Sequence, residues 1–135
     1  MTSRFSSEIS VRPDDIDQFN HVHHSCYLNY IQAARYDQMV KDYKMSMDDF
    51  MTRGFGWVVR STTLNFKRPL RMGDTIIVHT QVVDMTETDI SVDVEIINKR
   101  RMKSALDGRM VYTLINLESG WAEKIPDDVR KKYLV

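Results

Sequence analysis

From Thr88 to Ile96 the chain alternates strictly, with Ile90, Val92, Val94 and Ile96 set against Ser91, Asp93 and Glu95. A period of two marks a strand with one face on a core and the other in water. Thr75 to Val83 repeats the pattern, with Ile76, Val78, Thr80 and Val82 on one face, and "MTETD" joins the two as a hairpin turn. Trp57 to Phe66 is rich in β-formers. "RPLRMGD" then turns the chain, with Pro69 and Gly73 as breakers. Met110 to Leu117 reads as a further strand after a turn at Asp107–Gly108. "RFSSEISVR" near the start reads as a short one, ended by Pro13 and the acidic pair Asp14–Asp15. Between these first two strand signals the period changes. Ser25 to Tyr43 is helical, with apolar residues on several faces, so burial of most of the helix is expected. Ser25 is the N-cap candidate, with His24 and His23 as alternative starts. Ser46 to Arg53 predicts a short second helix stopped by Gly54, and "IPDDVRKKY" a terminal helical turn.

The order is therefore strand, long helix, then four strands joined by short turns. Short turns make antiparallel neighbours, and half-buried alternation gives a sheet with one face on a core. The economical architecture is an α+β fold, a curved antiparallel sheet of about five strands wrapped around one long helix.

Composition narrows the setting. With 135 residues, the chain suits a single domain spanning 1–135. The formal net charge is +0, which gives no electrostatic reason to expect nucleic acid as a partner. Cys26 is the only cysteine, so no internal disulfide and no cysteine-based zinc site is expected. "MTSRFSSEIS" lacks the apolar core of a signal peptide, and no apolar run approaches the ~20 residues of a membrane-spanning helix. A cytoplasmic protein without membrane insertion is the expectation.

The chemistry concentrates in "DIDQFNHVHHSCYLNYIQAARY", residues 15 to 36, where two aspartates and three histidines precede the long helix. This stretch resembles the hotdog-fold thioesterases, in particular the 4-hydroxybenzoyl-CoA thioesterase-like family and the related acyl-ACP thioesterases. It carries their Asp-x-Asp, a short gap, His-Val, then Tyr-Leu before a helix ending in Ala-Arg. "FKRPLRMGDTIIVHTQV" resembles the family's next most recognisable stretch, and the likeness covers nearly the whole chain. The resemblance implies a hotdog fold, hydrolysis of an acyl-CoA or acyl-ACP thioester, and no cofactor. It also implies a homodimer whose sheets pair edge to edge, with tetramers common among relatives.

Carried over residue by residue, Asp17 matches the catalytic carboxylate of the 4-hydroxybenzoyl-CoA group, as nucleophile or as the base for water. His21 matches a histidine of the acyl-ACP catalytic set. Thioester hydrolysis also needs donors for the oxyanion. A helix start offers free backbone N–H groups and a partial positive charge, here at His24 and Ser25. Phe19 departs from the acyl-ACP pattern, which has an asparagine there, and His23 and His24 stand where asparagines are common. Asp15 is expected to fix the loop, and a loop aspartate is the candidate partner for a buried Arg35. Three histidines raise a zinc reading, but a compact loop rarely aims all three at one centre. Trp57, Val58 and Val59 are expected to form the pocket wall, supplied by the other subunit in the family's dimer, with Asn65 adding a polar group. Lys99, Arg100 and Arg101 are candidates for the phosphates of coenzyme A, and Lys67, Arg68 and Arg71 form a second basic patch. Two rival readings keep the fold: a non-catalytic acyl-CoA or carrier-protein binding module, and a dehydratase or hydratase.

Overall fold

The computed structural model describes residues 2–135. Five strands form one antiparallel sheet: β1 (Arg4–Ser10), β2 (Phe55–Phe66), β3 (Thr75–Met85), β4 (Asp89–Asn98) and β5 (Lys103–Asn116). Their spatial order is β1-β3-β4-β5-β2. The long helix α1 (Tyr27–Lys41) enters through a short 3-10 turn at His24–Cys26 and is followed by α2 (Met47–Thr52); α3 (Asp127–Tyr133) closes the chain. This is the hotdog arrangement of the resemblance.

The alternation read from the sequence sets the core. Val78, Ile96 and Leu106 lie in register across three strands, as do Val82, Val92 and Met110, and all six are buried. They pack in one cluster with Tyr30, Ile31, Ala34 and Met39 of α1. At roughly 1.5–3 kcal/mol per fully buried large apolar side chain, this cluster is what holds helix to sheet. Ser46 and Asp49 form the reciprocal capping box that starts α2, and Gly54 follows it at φ 83°.

Three expectations need correction. The helix is not buried all round: Leu28, Tyr36 and Val40 are exposed, Val40 at 60%, so one side of α1 is left open. Asp107 and Gly108 do not turn the chain but lie inside β5, which begins at Lys103; the turn falls earlier, where Met102 takes φ 53°. Gly108 serves close approach instead. A Cβ there would overlap the carbonyl oxygen of Thr63 and stand 3.0 Å from Leu64 Cα on β2. Finally, Arg35 pairs with no loop aspartate. Its guanidinium carbon lies 4.9 Å from the ring centre of Tyr112 and 5.9 Å from those of Tyr43 and Tyr133.

Candidate active site

The loop before α1 is held by its own aspartates. Ile16 and Val22 form an antiparallel bridge, and Asp17 N–H donates to the His21 carbonyl at 2.8 Å. Asn20 takes the left-handed conformation, φ 59°, that closes such a loop. Asp17 Oδ1 accepts the N–H groups of Phe19 at 2.9 Å and His21 at 3.1 Å. These donors hold the carboxyl below its ordinary range, the His21 N–H contributing most. The second oxygen, Oδ2, has no hydrogen-bond partner among the described residues.

Asp15 does the fixing. Its Oδ2 accepts the Tyr30 hydroxyl at 2.5 Å and Arg12 Nε at 3.0 Å, and its carbonyl accepts the His23 N–H at 2.9 Å. The Tyr30 hydroxyl in turn accepts the Arg12 N–H at 3.1 Å. Because Tyr30 is wholly buried in α1, the loop is tied to the helix through one phenol. The Tyr30 hydroxyl is also the chief reason the Asp15 carboxyl is held low.

Asp17, His21 and His24 face a common cavity of about 340 Å3 with Tyr27 of α1. Its far wall is Phe66 at the end of β2, and Lys67 and Arg68 stand at its edge. Tyr27 meets Phe66 edge to face, ring centres 5.2 Å apart. Of the two backbone donors expected, only one is free. Ser25 N–H donates to His23 Nδ1 at 3.2 Å, because His23 caps the 3-10 turn. The His24 N–H has no acceptor among the described residues. The three histidine rings do not converge: His23 and His24 stack at 4.4 Å and His23 Nδ1 is engaged. Among the described residues no group of three or more metal-ligating side chains could hold a metal ion.

The other candidates fall elsewhere. Asn65 faces away: the pleat sends Leu64 and Phe66 toward the helix and Asn65 to the outer face, where its amide donates to Asp107 at 3.2 Å. Choosing Phe66 required only continuing the alternation by one residue. Trp57 packs inside its own chain against Phe50 and Tyr133, while Val58 and Val59 are 41% and 45% exposed on the free edge of the sheet. Lys99, Arg100 and Arg101 do not line the cavity. The two basic patches nevertheless share one end of the molecule: Lys67 and Arg68 N–H groups donate to the Ala105 carbonyl, and Arg68 Nη1 to that of Ser104 at 2.8 Å.

The chain belongs to the thioesterase-like superfamily, whose family model matches residues 11–133. It is 24% identical over 127 residues to a chloroplastic acyl-acyl carrier protein thioesterase of Arabidopsis thaliana, covering 94% of this chain and 66% of the relative. It is 26% identical over 97 residues to the acyl-CoA thioester hydrolase YbgC of Escherichia coli, covering 72% of each. The match spans only 55% of a Bacillus subtilis relative, YneP, so the chain covers between half and two thirds of the length of the Arabidopsis and Bacillus relatives. Among solved structures, a DHNA-CoA thioesterase from Staphylococcus aureus superposes with TM-score 0.89 at 20% identity, over 96% of this chain and 88% of that one. A 1,4-dihydroxy-2-naphthoyl-CoA thioesterase from Synechocystis superposes with TM-score 0.87 at 17% identity, over 97% and 96%. Both share its fold. Among the described residues no helix is long and apolar enough to cross a membrane.

Proposed function

We propose that this protein hydrolyses acyl thioesters of coenzyme A, with Asp17 as the reacting carboxylate. The observation that carries the reading is the shared cavity: it is lined by Asp17, an ionised carboxylate with one unpartnered oxygen, and by His24, whose N–H in the turn leading into α1 has no acceptor among the described residues. Asp17 Oδ2 takes a proton from water, and the water oxygen bonds to the carbonyl carbon. The carbonyl oxygen, now negative, accepts from His24 N–H, which the helix start favours. The oxyanion then reforms the C=O bond as the C–S bond breaks, the departing thiolate takes a proton from solvent, directly or through His21, and Asp17 returns its proton to solvent. Phe66 and Tyr27 supply the apolar surface for the acyl group. Lys67 and Arg68 meet the phosphates of the carrier, with the Lys99–Arg101 turn beyond them.

The free edge supports a homodimer. β2 runs for 12 residues with no neighbouring strand on its outer side among the described residues, and Val58 and Val59 are exposed on it. Edge-to-edge pairing of two copies satisfies those backbone groups and brings the partner's Val58 and Val59 beside the Asp17 cavity. Free-thiol release from a panel of acyl-CoA esters of varied length and aromatic content tests the activity, with the same acyl groups on a carrier protein as a second arm. No release from any ester would leave the binding-module reading in its place.

A further inference from the structure

His23 is engaged at every polar group but its Nε2. Its N–H donates to the Asp15 carbonyl at 2.9 Å, its carbonyl accepts the Cys26 N–H at 2.9 Å, and its Nδ1 accepts the Ser25 N–H at 3.2 Å. The imidazole is therefore the N-cap of the His24–Cys26 turn, on the extended backbone that a cap requires, φ −61° and ψ 135°. No other acceptor among the described residues takes the Ser25 N–H. The same turn carries the unpaired His24 N–H and leads into α1.

An imidazole makes an uncommon cap, because it can lose its acceptor near neutral pH. Serine, threonine and asparagine caps accept through an oxygen that does not titrate there. A histidine accepts only through a ring nitrogen without a hydrogen, and histidine as a class changes charge between pH 5 and 8. Once Nδ1 is protonated, two N–H groups meet across 3.2 Å and one must turn away. The Ser25 hydroxyl, 2.7 Å from Nδ1, takes the new hydrogen, so the ring keeps a partner and the Ser25 N–H loses one. The added charge also stands against the stacked His24 ring and at a turn start that is already electropositive. Of the acids on the loop, Asp17 is close enough to sense both His21 and His23, while the Asp15 carboxylate is taken by Tyr30 and Arg12. Lys67 and Arg68 line the same cavity as His24, and the Cys26 thiol lies 3.9 Å from the Ser25 hydroxyl.

We propose that His23 is a positioning residue for the hydrolysis: as a neutral ring with its hydrogen on Nε2 it holds the turn that carries the His24 N–H, and protonation of Nδ1 releases that turn. The positioning role rests on the reaction proposed above; the cap rests on the hydrogen bonds alone. Asparagine accepts through its side-chain oxygen at every pH, so it supplies the cap without the switch.

Two measurements on the full chain test it. Long-range 1H–15N spectra of the imidazoles at about pH 8, above the ordinary histidine range, are expected to show His23 with its hydrogen on Nε2. A hydrogen on Nδ1 would overturn the cap. Free-thiol release from acyl-CoA then compares the parent with His23→Ala and His23→Asn. At about pH 8 the alanine variant is expected to lose about three- to tenfold in kcat, the worth of one cap, with KM little changed. The asparagine variant is expected to recover the parent kcat within about twofold. Toward about pH 5.5 the parent falls toward the alanine rate and the asparagine variant holds more of its own, since His21 and His24 titrate in all three. Equal kcat in parent and alanine variant at the higher pH, or the same acid limb in parent and asparagine variant, would overturn the positioning role. A parent that releases thiol from no ester would overturn the hydrolysis and the positioning role with it, while the ring spectrum still decides the cap.

Discussion

Asp17→Asn separates the two things this side chain does. In the folded chain Oδ1 accepts two N–H groups, from Phe19 and His21, and thereby shapes the loop. An asparagine with its carbonyl oxygen in the Oδ1 position keeps both bonds. Its amide replaces Oδ2, the unpartnered oxygen and the base of the proposed reaction, and an amide cannot take a proton from water. The loop therefore survives and the base does not. Loss of a positioned general base costs about 10²–10⁴-fold in rate, and the whole of it is expected in kcat with KM little changed. Asp17→Ala removes the loop's acceptor as well, so turnover falls at least as far and the melting midpoint drops too. Thiol release from an acyl-CoA, read with a thiol-reactive chromophore, gives the rates; thermal melts and sedimentation show whether fold and assembly persist. An Asn variant within about threefold of the parent, beside an inactive Ala variant, would mean that the carboxylate only holds the loop. The pH profile supplies a second check. Asp17 is held below the ordinary carboxylate value of 3.8, so it is ionised above that and loses activity only as pH falls through its lower folded value. The carboxylate limb of kcat/KM is expected below pH 3.8.

Tyr30→Phe removes the hydroxyl that Asp15 accepts, leaving a half-buried carboxylate short of a partner; a loss of about 1–3 kcal/mol is expected in urea denaturation at pH 7. Because the Asp15 carboxyl is depressed from 3.8, that stabilisation is present above 3.8 and lost as pH falls through the folded value, so the gap between parent and variant should close on acidification. A gap that stays constant would remove the charge from the explanation. Gly108→Ala drives a methyl into the Thr63 carbonyl, and a destabilisation of about 2 kcal/mol or more is expected from the same denaturation. Asn65→Ala, on the outer face, should leave kcat/KM within about twofold, and a larger fall would put Asn65 back in the pocket.

Strand content was legible because period two is enforced by burial. Each of Ile76, Val78, Val82, Ile90, Val92, Val94 and Ile96 is buried in the one core cluster that also holds the inner side of α1. Gly108 misled because glycine signals two different things. In a turn it supplies a positive φ, and in a strand it lets another backbone come close. Only the register of β5 against β2 distinguishes them. The helix misled for a related reason: Leu28, Tyr36 and Val40 are apolar yet exposed, so residue type on that side of α1 does not report burial.

The two aspartates of the loop show how far side-chain chemistry can be read before coordinates. They are the same residue type two positions apart, and sequence separates them only through the family pattern. The structure separates them physically. Asp15 spends its carboxylate on a buried phenol and an arginine, and so becomes a fastener. Asp17 satisfies one oxygen with backbone donors and leaves the other over a cavity. A carboxylate that is both anchored and half free is already ionised and already held in place. In the proposed reaction it would need no rearrangement when a thioester arrives. The same distinction governs the helix start: the Ser25 N–H is spent on its own cap, and the His24 N–H is not. At each place the residue with an unspent valence is one that lines the cavity, and a sequence motif alone cannot record which valence is spent.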